Sequence, residues 1–185
     1  MAGWLHKEKK RLKGAKFKKQ GARLVDGSLS DHRSLVDAVK KVDVVICTIS
    51  GVHFPSHNAL LQLKFVEAIK EAGNIKRFLP SEFGMDPSQM DHAVKPGKGT
   101  FKDKMIVRKA IEDAKIPFTY VSANCFAGYF VGMDLAGLVI VGHLYHIFYE
   151  GCLTNFEIEG EAEEASKHYP DVQNMRMDQY LKCYL

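Results

Sequence analysis

In the stretch TFKDKMIVRKAIEDA, Thr100 to Ala114, Lys104 and Arg108 stand four residues apart, one above the other on an amphipathic helix. A lysine that faces a cleft acts as a general acid or base when burial or a neighbouring positive charge lowers its pKa towards the working pH. Arg108 is such a charge, provided both side chains enter the cleft. The competing reading is a solvated face over an apolar stripe, and a KxxxR spacing by itself favours that reading. Few other residues offer chemistry. Cys47, Cys125, Cys152 and Cys183 form no CxxC pair and no His/Cys grouping at zinc spacing, so no metal site and a reducing compartment are expected. GKGT, Gly97 to Thr100, lacks the further glycine of a phosphate loop, and no GxGxxG occurs.

The elements that would position these residues alternate along the chain. ARLVDGS, Ala22 to Ser28, predicts a short strand, and SDHRSLVDAVKKV a helix capped by Ser30 or Asp31 with Leu35, Val36 and Val39 at helical spacing. VDVVICTIS is a β-branched run without polar alternation, the pattern of a strand buried on both faces. HNALLQLKFVEAIKEAGNI repeats apolar residues at Leu60, Leu61, Leu63, Val66 and Ile69 and stops at Gly73, a helix with a glycine C-cap. KRFLP and the run Phe118 to Ser122 supply strands on either side of the Lys104 helix. The alternation predicts an open α/β fold, a parallel sheet with crossover helices. Such folds bind ligands beyond the carboxyl ends of their strands, here at Thr48, Ser50 and Gly51, at Ser81, Glu82 and Phe83, and at Ala123, Asn124 and Cys125. After Gly128 the pattern weakens. Leu138 to Val141 fits a strand or a helix, and EAEEASKHYPDVQNMRMDQYLKCYL reads as two short helices broken at Pro170.

The chain of 185 residues, 46% hydrophobic and 26% charged, suits one soluble domain with an appendage. Much of the net charge of +4 comes from WLHKEKKRLKGAKFKKQ, where Trp4 and Phe17 are the only aromatics. A solvated helix face therefore fits better than a nucleic-acid patch. No apolar run reaches the roughly 18 residues needed to cross a bilayer, and the N-terminus is charged where a signal peptide is apolar. The expectation is a cytoplasmic protein without membrane or nucleic-acid partners.

RFLPSEFGMDP, TFKDKMIVRKAIE and IPFTYVSANCFAGYF together resemble the plant isoflavone reductase-like family of NmrA-like, atypical short-chain dehydrogenases, most closely its pinoresinol–lariciresinol reductase branch. The resemblance runs from Phe17 to Val131 and resumes from HLYHIFYEGCLTNFEI to MDQYLKCYL. It implies an NADPH-dependent oxidoreductase with a Rossmann-like domain and a smaller substrate domain, which reduces a lignan benzylic ether stereospecifically. Lys104 falls on the family's catalytic lysine. Its implied role is to take the phenolic proton, opening the ether to a quinone methide that accepts hydride at the benzylic carbon. A phenol has a reference pKa of about 10, so the lysine has to be neutral when substrate binds. The resemblance implies cofactor-binding positions at Ser50, Gly51, Ser81, Glu82, Phe83, Lys104, Asn124, Cys125 and Phe126, and substrate-binding positions at Met90, Tyr129 and His143. Phe83 and Phe126 either cover the nicotinamide or substrate ring or are buried core aromatics. His143, an isolated histidine, has a structural reading as well. A lignan substrate and a homodimer are the implied partners.

The chain departs from that family in two places. Full-length relatives open with a strand, a GxxGxxG loop and a helix whose N–H groups and dipole hold the NADPH diphosphate, and Met1 to Ala15 shows no such glycine pattern. Near Gly132 to Gly142, MDLAGLVIV stands where the family has a much longer segment. The expected organisation is therefore a divergent basic segment over 1–16, an incomplete dinucleotide-binding domain over 17–131 and a substrate-domain remnant over 132–185. Loss of a central strand predicts an unpaired sheet edge and an uncovered apolar face, hence marginal stability or self-association. Loss of the glycine loop predicts weak NADPH binding, hence a reductase by descent with slow or no turnover. The alternative is a non-catalytic NmrA-like module that senses dinucleotides or binds a protein.

Overall fold

Asp31 rather than Ser30 caps the first long helix. Its carboxylate accepts from the Ser34 N–H, and Ser34 Oγ donates back to the Asp31 carbonyl at 2.9 Å. The computed structural model describes residues 16–49, 58–91, 93, 97–123, 158, 160–172, 179 and 182. The capped helix, α1 (His32–Val39), turns Leu35, Val36 and Val39 into the core, as their spacing predicts. After β1 (Val44–Ile46), a 3-10 turn (Asn58–Leu61) leads into α2 (Gln62–Ala72). Gly73 ends α2 at φ 68°, a left-handed conformation that favours glycine. β2 (Arg77–Leu79), a short 3-10 helix (Pro87–Gln89) and α3 (Gly97–Asp113) complete the part that builds the site. Towards the C-terminus, α4 (Ala165–His168) is an exposed turn that stops before Pro170; the second short helix expected there lies almost wholly outside the described residues.

β1 and β2 pair in parallel, with Val44 opposite Arg77, Val45 opposite Phe78 and Ile46 opposite Leu79. The fold is α/β, and each connection between parallel segments runs through a helix, α2 between β1 and β2 and α3 after β2. The core sits where α1, α2 and α3 cover the sheet. Phe78 and Ile111 are fully buried in it, with Val36, Val66, Ile69 and Val107 around them. No helix among the described residues is long and apolar enough to cross a membrane.

Three strand expectations need correction. Ala22 to Ser28 forms no strand; it is an exposed segment, with Leu24 and Val25 each more than half exposed. No described strand lies beside it to accept its backbone groups, and β-propensity without a partner makes no sheet. β1 is buried on one face rather than two: Val45 packs on the core, while Val44 is 47% and Ile46 60% exposed. Among the described residues β1 pairs along one edge only, with β2, and neither Val44 nor Ile46 belongs to the core. The run Phe118 to Ser122 reaches the sheet at two isolated parallel bridges, Phe78 to Phe118 and Gly84 to Ser122, instead of forming a continuous strand. Arg77 ties it on, donating from Nη1 to the Phe118 carbonyl at 2.9 Å and to Thr119 Oγ1 at 3.1 Å.

Candidate active site at the strand ends

Beyond the carboxyl ends of β1 and β2 the chain encloses a cavity of about 430 Å³, within the roughly 300–1,000 Å³ typical of small-ligand sites. Thr48 and Ile49 reach it from the end of β1, and Ser81, Glu82 and Phe83 from the end of β2. Ala59 and Gln62 come from the start of α2, and Thr100 and Lys104 from α3. This is the crevice where an open α/β sheet binds its ligand.

Phe101, Lys104, Arg108 and Ile111 recur on α3 at spacings of three and four, so both cations share a face with two buried apolar residues. That placement removes the solvated-face reading of the KxxxR pair. Lys104 is half-buried, and its Nζ donates to the Glu82 carbonyl at 2.8 Å. Burial is the main cause that lowers its pKa below the usual lysine value. The charge on Arg108 adds to that lowering, and the charges on Glu82 and Asp86 oppose it.

Arg108, the neighbouring charge that the spacing suggested, is itself ion-paired. It donates from Nε to Glu82 Oε1 at 3.2 Å, from Nη2 to Glu82 Oε2 at 2.8 Å and from Nη1 to Asp86 Oδ1 at 2.9 Å. The Tyr120 ring lies over the guanidinium, 4.2 Å from carbon to centroid. Two carboxylates match the Arg108 charge, which leaves burial in the leading part at Lys104. Glu82 therefore turns its carboxylate to Arg108 and gives Lys104 its backbone carbonyl. Phe83 follows at φ 28°, a conformation that strains a residue with a Cβ, and is 36% exposed at the cavity.

Gln62 is the site residue that sequence reasoning passed over. It is buried, and its Oε1 accepts from the Ser81 N–H at 2.6 Å, while Ser81 Oγ donates to the Ile49 carbonyl at 2.8 Å. The two bonds join the ends of both strands to α2. The signal was a polar residue in line with Val66 and Ile69 on an apolar stripe. Replacing Gln62 with leucine is expected to cost about 1–3 kcal/mol, the penalty for a buried N–H without a partner. Urea unfolding would show this as a lower midpoint at unchanged slope, and an unchanged midpoint would mean that the Ser81 N–H finds another acceptor.

Of the residues expected at the site, Ser81, Glu82, Phe83 and Lys104 come together on the cavity. Met90 is not among its lining residues; it is buried beside Ala93 and Phe101, with Met85 packed against them. Ser50, Gly51, Asn124, Cys125, Phe126, Tyr129 and His143 lie outside the described residues. Among the described residues no group of three or more His, Cys, Asp or Glu side chains is placed to hold a metal ion.

The model of the NmrA-like family matches residues 5–139. An isoflavone reductase homolog of Lupinus albus is 48% identical over 262 aligned positions, covering 91% of this chain and 84% of the relative. Those positions outnumber the 185 residues of the chain, so the relative carries a long stretch with no counterpart here, in keeping with the expected internal gap. Among solved structures, the chain is similar to those of pinoresinol-lariciresinol and phenylcoumaran benzylic ether reductases, at a TM-score of 0.78 and 37% identity over 92% of this chain and 85% of the other. It is also similar to AtPrR2 with NADP+ and (+)pinoresinol, at a TM-score of 0.68 and 38% identity over 92% and 84%. The matched length, the level of identity and the shared fold agree: the chain belongs to the NmrA-like family, among its isoflavone reductase-like oxidoreductases.

Proposed function

We propose that the chain is an NADPH-dependent reductase of lignan benzylic ethers of the pinoresinol and lariciresinol type, with slow turnover. The observation that carries the reading is Lys104 Nζ, half-buried on the strand-end cavity, held by the Glu82 carbonyl and shifted towards its neutral form. The similarity to AtPrR2 with NADP+ and (+)pinoresinol supports the choice of cofactor and substrate class.

The cavity suits the nicotinamide and ribose end of the cofactor. Its hydroxyl-bearing residues are Thr48, Ser81 and Thr100, and the Glu82 carboxylate, which would repel a phosphate-bearing ligand, is bound to Arg108. Ser81, Phe83 and Lys104 would hold that end. Among the described residues no GxGxxG turn opens a helix to cradle the diphosphate, and weak NADPH binding is part of the proposal. When bound, NADPH supplies the hydride. Neutral Lys104 takes the phenolic proton at Nζ as the benzylic C–O bond breaks, and the departing oxygen takes a proton from solvent. The ammonium then returns its proton to the phenolate that hydride addition regenerates.

Because only the neutral amine accepts that proton, kcat/KM for pinoresinol should rise with pH along a limb centred below the ordinary lysine value. Burial sets the sign, since it disfavours the ammonium. A rate profile flat through the neutral and mildly alkaline range would oppose this assignment. Calorimetric titration with NADPH, with circular dichroism to establish folding, tests the cofactor half of the proposal. Saturable binding is expected, and a folded chain that takes up none at millimolar NADPH would remove the reductase reading.

A second reading, a non-catalytic module that binds a protein, draws on the exposed Val44 and Ile46 of β1. Co-purification of the chain with a full-length reductase, without turnover of its own, would favour it.

A further inference from the structure

We propose that Arg108 is a positioning residue: by gripping the Glu82 carboxylate with two nitrogens it fixes the Glu82 peptide, whose carbonyl in turn holds Lys104 Nζ on the cavity. The kinetic part of this proposal rests on the reductase reading; the geometric part does not.

Glu82 touches both cations. Its side chain takes the Arg108 fork at 3.2 and 2.8 Å, and its main-chain carbonyl takes Lys104 at 2.8 Å. Any movement of the Glu82 peptide is therefore a movement of the lysine. The pair is well enclosed, with the Arg108 side chain 10% and that of Glu82 4% exposed. Arg108 also holds Asp86 at 2.9 Å, so one guanidinium clamps both ends of the turn that runs through Phe83, Gly84 and Met85. That turn needs a clamp. Phe83 sits at φ 28°, and a non-glycine residue persists there only where its surroundings hold it. A Cβ placed on Gly84 would lie 3.4 Å from the Glu82 carbonyl oxygen and 3.9 Å from Lys104 Nζ, so the turn passes directly beside that contact.

The guanidinium is itself held in place. Tyr120 covers it at 4.2 Å, stacks on Phe118 at 4.4 Å between centroids and donates from its hydroxyl to Glu112 Oε1 at 3.2 Å. A buried ion pair is a poor source of net stability, because desolvation offsets its attraction, whereas a planar fork on a carboxylate fixes both distance and orientation. A lysine at position 108 would keep the charge and lose the fork.

Two variants and two readouts test this. Arg108→Lys is expected to lower kcat about tenfold to a hundredfold, the loss that follows from a misplaced catalytic group, with KM for pinoresinol little changed. Competitive acylation with trace acetic anhydride across a pH series, read at Lys104 by peptide mass spectrometry, should show its pKa returning towards the ordinary lysine value. Arg108→Lys keeps the positive charge beside Lys104 and leaves Glu82 and Asp86 in place, so that return reports lost enclosure. Should Arg108→Lys fail to fold, Glu82→Gln, which keeps the shape and one acceptor, carries the kinetic test. Folded variants with lower melting temperatures but unchanged kcat and unchanged Lys104 titration would overturn the proposal. A shifted titration in a chain that turns over no substrate would uphold the positioning role and remove only the reductase reading.

Discussion

Lys104→Ala is expected to lower kcat/KM for pinoresinol by about 10²–10⁴-fold, the range that a positioned general base supplies. The fold should survive. Lys104 is half-buried and bonds a backbone carbonyl, and its removal takes away a desolvated cation rather than a core side chain. Lys104→Arg separates two versions of the role. An arginine keeps the positive charge and never becomes neutral, so it cannot accept a phenolic proton. Activity near that of the parent in Lys104→Arg would mean that charge, not proton transfer, is what the position supplies. Single-turnover assays with NADPH and pinoresinol, followed by the loss of dihydronicotinamide absorbance as hydride is transferred, measure both variants.

The second large effect is on stability. Arg108→Ala leaves the Glu82 carboxylate buried without its partner, and breaking a buried pair from one side costs about 3–5 kcal/mol. Against a total of about 5–15 kcal/mol for an ordinary domain, that is a large share. The double change Glu82→Gln with Arg108→Ala should cost less than Arg108→Ala alone, because the buried Glu82 charge is gone and the Asp86 carboxylate that also loses Arg108 is 31% exposed to water. Urea unfolding of the two singles and the double gives the coupling. Additive losses would mean that water already reaches the Glu82 carboxylate and that the pair is not a buried one.

The sequence made local features legible and left pairings between distant segments hidden. The cap at Asp31, one of the two residues offered, and the glycine stop at Gly73 follow from short-range chemistry, as does the helix around Lys104, although α3 runs Gly97–Asp113 where its pattern reads Thr100 to Ala114. The strand-end rule, applied to Thr48 and to Ser81 through Phe83, located the cavity because the parallel order of strands and helices was itself legible. Ala22 to Ser28 and the outer face of β1 misled for one reason: β-branched composition reports fitness for a sheet, not the presence of a neighbour. The ion pairs of Arg108 were hidden for another. Its partners Glu82 and Asp86 lie 26 and 22 residues back, where no helical or strand period connects them. Gln62 drew no notice, although its place in an apolar stripe is what a buried hydrogen-bonding residue looks like.

Product formation tests the proton and hydride chemistry proposed for this cavity most directly. The purified chain is incubated with pinoresinol and NADPH at millimolar concentration, and chromatography follows lariciresinol. Lariciresinol is expected to form slowly with the parent chain, in step with NADPH consumption, and not with Lys104→Ala. No product from a folded chain that binds NADPH, or equal product from Lys104→Ala, would contradict that chemistry.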